Sequence, residues 1–153
     1  VYRSFAAAEV QRLLAQCGTR PEEAHPINHW ALRNASEEKN AIELAAVIAE
    51  WDTFRSRMLG FMATCDVILS PVHASPALPH GFTLGDRDAR PGFSYTQSYS
   101  LTGWPAVVVR AGTSPEGLPI GVQVIAAPWR EDMALAAAGV IEAALGGWPP
   151  ITL

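Results

Sequence analysis

Residues 101–126 read "LTGWPAVVVRAGTSPEGLPIGVQVIA", two short apolar runs, Pro105 to Val109 and Ile120 to Ala126, joined by a stretch rich in Gly, Pro and Ser. Neither run alternates. Ala106 through Val109 leave no polar face, the pattern of strands covered on both sides. "SPEG" puts Pro115 second and Gly117 fourth in a type I turn, which predicts a hairpin. "CDVILSP" predicts a third short strand, Val67 to Leu69, ended by Pro71.

Apolar residues at three- and four-residue spacing predict helices around these strands. The first runs from Tyr2 to Gln16, with Phe5, Val10, Leu13, Leu14 and Cys17 on its buried side and Gly18 closing it. A short helical piece is expected at Asn28 to Asn34. Ser36 has the chemistry of an N-cap, followed by Glu37 and Glu38 at the positive end of the dipole. A long helix from there should reach about Thr64. Its stripe of Leu44, Val47, Ile48, Trp51, Phe54, Met58, Phe61 and Met62 is read as core, with Glu43, Glu50 and Arg57 on the wet side. "PVHASPALPHG" holds Pro71, Pro76 and Pro79 and reads as an extended, packed loop. Residues 82–92 read as an exposed turn region and "FSYTQSYSL" as a short helix before Gly103. The last helix, Glu131 to Leu145, closes on Gly146 and Gly147.

The fold class is therefore α/β, with about three buried strands flanked by three or four helices. Three buried strands do not make a sheet without exposed edges, so the edges are expected to pair with a second copy or with the rest of a larger protein.

With 153 residues, one domain is expected. Charged residues are only 17% of the chain and the net charge is -4, so there is no basic footprint for nucleic acid or an anionic membrane. No apolar stretch approaches the roughly 18 residues of a membrane span. Cys17 and Cys65 read as two buried free thiols, and with no signal peptide pattern the chain reads as cytoplasmic.

Candidate chemistry is sparse. There is no Gly-rich phosphate loop and no G-x-S-x-G elbow. His25 and His29 share a helix face only if Pro26 between them permits a helix, and no carboxylates or thiols complete a zinc set. Asp86 and Asp88 fit a solvated turn, and Asp66, Ser70 and His73 are neighbours in sequence, which does not make a triad. Lys39 is the only lysine and sits at a solvated helix start. The sequence implies no metal and no organic cofactor.

Two segments resemble one family. "DVILSPVHASPALPHG" is similar to the Asp–aliphatic–Ser–Pro stretch of amidase signature enzymes, and "SLTGWPAVVVRAGTSPEGLPIGVQVIA" to their N-L-x-G-x-P-A and G-L-P-x-G-x-Q segments with the helix that follows. Order and gaps agree from about Glu43 to Leu145, the last third of that catalytic domain. Residues 36–153 carry the motifs, and residues 1–35 are a helix and loop ahead of them. The resemblance implies a mixed sheet between helices, with "PAVVV" and "GVQVIA" as central strands. Gly103 would allow close approach, Pro105 would begin a strand, and Gly117 and Pro119 would shape the hairpin.

The family hydrolyses amides with a nucleophilic serine, a bridging serine and a lysine (Ser-cis-Ser-Lys) in an earlier Gly/Ser-rich region that this chain lacks. No catalytic residue is carried over. The resemblance does imply one wall of an acyl pocket, and alignment on Gly103 and Pro105 places Phe93 and Gln97 there. Members that release ammonia from glutamine have an acidic residue on this wall, so Phe93 favours an apolar or aromatic acyl group. Ser100 stands for the usual Asn, His73 for a small polar residue, and Arg110 for the Pro that usually ends "PAVVV". The leading expectation is the C-terminal segment of an amidase acting on a small-molecule amide, inactive alone. The alternatives are a non-catalytic partner-binding module and a segment of the amidase-like component of a tRNA-dependent amidotransferase.

Overall fold

The computed structural model describes residues 2–25, 28, 29, 32, 40–81 and 94–148. They fall into two compact units, one within Val1–Phe54 and one within Arg55–Phe82 and Asp88–Leu153.

The first unit opens with α1 (Tyr2–Cys17), followed by a single 3-10 turn at Pro21–Glu23. Its expected buried side is not covered: Leu13 and Cys17 are exposed, and Val10 and Leu14 only half-buried. Asn28, His29 and Leu32 have helical backbone. The long helix α2 spans Ala41–Met62. It starts later than expected because Asn40, not Ser36, caps it. Asn40 Oδ1 accepts from the backbone N–H groups of Ile42 and Glu43, both at 3.0 Å. Glu43 Oε2 in turn accepts from the Asn40 N–H at 2.9 Å, completing a capping box. Glu37, Glu38 and Lys39 lie outside the described residues. Leu44 and Ile48 of the expected core stripe are exposed.

The second unit holds the sheet. Strands β1 (Val67–Pro71), β2 (Ala106–Thr113) and β3 (Pro119–Ala126) form an antiparallel sheet in the order β1-β3-β2. β3 is the middle strand, pairing Leu69 with Val124 on one side and Val107 with Val124 on the other. Helix α3 (Ser94–Thr102) precedes β2, and α4 (Glu131–Leu145) follows β3. Each sheet face has its own cluster. Val109, Val124 and Ala138 pack with Val107, Val122, Ala137 and Ile141, which seats α4 on one face. Met62, Trp104 and Ile125 pack with Met58, Ile68 and Tyr99 on the other, where the end of α2 and α3 lie.

β3 is thus covered on both sides, as its unbroken apolar run requires, and Gln123 to Ala126 are all buried. β2 is not a central strand among the described residues. It is an edge, and burial alternates along it: Val107 and Val109 face the core while Ala106 and Val108 are exposed. The reason is topological, since nothing in the described chain pairs beyond β2.

The hairpin turn forms as expected, with the Gly117 N–H donating to Ser114 O at 2.9 Å and the Ser114 N–H to Leu118 O at 2.8 Å. Gly117 has φ 84°, a left-handed position that glycine takes without strain. Gly103 also needs its conformation (φ 69°) rather than close approach, since a Cβ there would meet nothing within 4 Å. Arg110 does not end β2. The strand continues past an irregularity between Arg110 and Gly112, and Arg110 donates to Gly147 O at 3.1 Å and Thr113 Oγ1 at 2.6 Å. Arg130 donates to Asp132 at the start of α4, and this hydrogen bond holds the Asp132 carboxyl below its ordinary range.

Both cysteines are free, but exposed rather than buried. Cys17 ends an uncovered helix, and Cys65 lies in the turn between α2 and β1.

Candidate functional site

Of the two positions assigned to an acyl pocket, Phe93 lies outside the described residues. Gln97 stands in the middle of α3 and is exposed. α3 is nine residues of largely polar sequence, far shorter than the roughly 12–15 residues at which a free helix becomes even marginal in water. Two contacts hold it to the sheet. Tyr99 packs against the cluster of Met62, Trp104 and Ile125. Nearer the start of the helix, the Gln123 side chain reaches from β3 and donates through Nε2 to Tyr95 O at 2.9 Å.

The same nitrogen donates to Pro71 O at the end of β1 at 2.8 Å and lies 3.5 Å from Ser70 Oγ. Gln123 is only 3% exposed. Its surroundings settle which end of the amide is which, because a carbonyl oxygen only accepts and two of them face this atom. Motif and periodicity give Gln123 no role of its own within "GVQVIA". A signal is nonetheless present in the sequence: a polar side chain inside an apolar, doubly covered strand must find partners.

Next to this junction, the 72–77 loop and the start of β3 enclose an open cavity of about 330 Å³, lined among others by Val72, His73, Ser75, Val108, Gly121 and Trp148. Gln97 does not line it. His73 Nδ1 is turned to Ser75, 3.0 Å from its carbonyl oxygen and 3.1 Å from Oγ. Ser70 Oγ donates to Pro71 O at 3.2 Å. Asp66, Ser70 and His73 thus do not form a relay, and no cluster of three potential metal ligands occurs among the described residues. Asp86 and Asp88 lie outside the described residues. The site can position and enclose a substrate; it holds no activated nucleophile.

The amidase family model matches residues 8–135. The chain is 38% identical over 95 residues to the amidase-like component of the glutamyl-tRNA(Gln) amidotransferase of Mesorhizobium japonicum, covering 59% of this chain and 18% of the relative. It is 33% identical over 98 residues to human fatty-acid amide hydrolase 2, covering 63% of this chain and 18% of the relative. Among solved structures, an amidase superposes with a TM-score of 0.71 at 25% identity, over 93% of this chain and 33% of that one. The fold and its motifs define an amidase signature segment, and this chain belongs to the amidase family. It spans about a fifth of the length of the curated relatives it matches.

No described helix is long and apolar enough to cross a membrane.

Proposed function

We propose that this chain is the acyl-binding, C-terminal segment of an amide hydrolase that cleaves a carboxylic amide C–N bond through a Ser-cis-Ser-Lys triad outside these 153 residues. The family match over residues 8–135 carries the reading. Phe93 and Gln97 line the acyl pocket, and an aromatic ring at Phe93 gives an ammonium group no anchor, so the acyl group is apolar or aromatic. The edges at β1 and β2 pair with the remainder of an amidase-length domain or with a second copy, a reading supported by the small share of its relatives that the chain spans. Two free, exposed thiols suit a reducing compartment, the cytoplasm.

A second reading, the amidase-like component of a tRNA-dependent amidotransferase, draws on the Mesorhizobium relative. Glutamine as substrate separates the two, since the first reading expects no turnover of it.

Intact-mass spectrometry with a serine-reactive fluorophosphonate tests the proposal. The 16.4 kDa chain should take up no adduct, and an amidase-length polypeptide carrying this segment should gain one and hydrolyse apolar acyl amides. An adduct on the 16.4 kDa chain, or none on the longer polypeptide, overturns it.

A further inference from the structure

We infer that Gln123 is a positioning residue of the acyl pocket, clamping the first turn of α3 to the end of β1 and thereby setting which acyl groups the pocket accepts. The inference rests on the amide-hydrolase reading. An amide NH₂ has two donors, and both are engaged here by carbonyls of separate elements, Pro71 O at 2.8 Å and Tyr95 O at 2.9 Å. Pro71 is the last residue of β1, and Tyr95 belongs to the first turn of a helix too short to hold itself. Tyr99 secures the later part of that helix through apolar packing, so the polar clamp governs where the helix begins. Phe93 and Gln97, the two pocket positions, flank Tyr95 by two residues on either side. A shift of the Tyr95 peptide therefore moves the segment carrying both. An aliphatic side chain at position 123 could fill the space but would leave two carbonyls without their donor.

Gln123→Met keeps length and approximate volume and removes both donors; Gln123→Glu keeps the planar shape, in case the first variant fails to fold. Ser70→Ala serves as control for the long contact. On the 153-residue chain, amide hydrogen exchange within residues 94–102 should quicken by about tenfold or more in both Gln123 variants, with α4 unchanged. In the amidase-length polypeptide, KM for long acyl amides should rise several-fold relative to short ones with kcat nearly constant, the signature of lost binding rather than lost chemistry. Unchanged exchange in α3, faster exchange throughout the sheet and α4 alike, or a fall in kcat at constant KM overturns the inference. So does a Ser70→Ala variant that reproduces the effect. A wild-type polypeptide that hydrolyses no amide overturns the proposed function instead, and the exchange measurement still decides whether the clamp exists.

Discussion

Ile125 is fully buried, in contact with the cluster that Met62 and Trp104 form on one sheet face. Truncation there leaves a cavity in a small core with little else to collapse into it. Ile125→Ala should lower unfolding free energy by about 2–5 kcal/mol and Ile125→Val by about 0.5–1.5 kcal/mol, read as shifts in the urea midpoint at constant slope. A difference between the two below the Ile125→Val range would mean that this cluster is loosely packed. At this level the sequence is legible where one residue has one reason. The spacing of Gly117 to Pro115 assigns it to its turn, and the left-handed φ of 84° agrees. Cys17 misleads because an apolar helical stripe shows that a face seeks cover, not that the cover is present. Gln123 escapes notice because its partners are 28 and 52 residues away, and no local pattern records a contact at that range.

Among the elements, α2 shows what a start signal requires. Ser36 is followed three residues later by Lys39, whereas Asn40 is followed by Glu43, and only the second pair closes a reciprocal box. Asn40→Ala should cost about 0.5–2 kcal/mol, and Asn40→Ser should recover most of it, measured by thermal unfolding followed by helical circular dichroism. An Asn40→Ala variant of wild-type stability would move the operative cap elsewhere. Elements with strong terminators are legible almost to the residue. The last helix, expected at Glu131 to Leu145, lies there, ended by Gly146 at φ 82° with its N–H on Glu142 O. β2 is legible as a strand but not as an edge. Its composition reports a site to be covered on both faces, while the cover itself belongs to the connectivity of a sheet larger than these three strands.

Across the second unit, the apolar surface left open follows one pattern. α4 seats Ala134, Ala137, Ala138 and Ile141 against the sheet, yet its outer side carries Leu135 and Val140, the latter 71% exposed. A helix apolar on all sides is a buried helix in the assembled protein. Val108 on the edge strand and Leu69 on β1 are likewise exposed, and Trp129, at the turn into α4, is 89% exposed. Scattered apolar residues on a surface need no explanation, but an apolar edge strand and an apolar outer helix in the same small unit are surfaces built to be covered. The isolated 153-residue chain should therefore self-associate, and sedimentation velocity should show dimers or larger species in a concentration-dependent way. Val108→Lys places a charge on the β2 edge, the device by which natural sheets discourage pairing, and should shift the distribution toward monomer. Val140→Lys tests the α4 surface separately, and should reduce association only if the helix, and not the strand edge alone, is engaged. Adding the preceding two thirds of an amidase domain should abolish self-association in all three proteins, because the same surfaces would then be occupied within one fold. A wild-type chain that sediments as a monomer at every concentration would show that β2 is a stable free edge, and would remove the argument that this segment is held by pairing through its sheet.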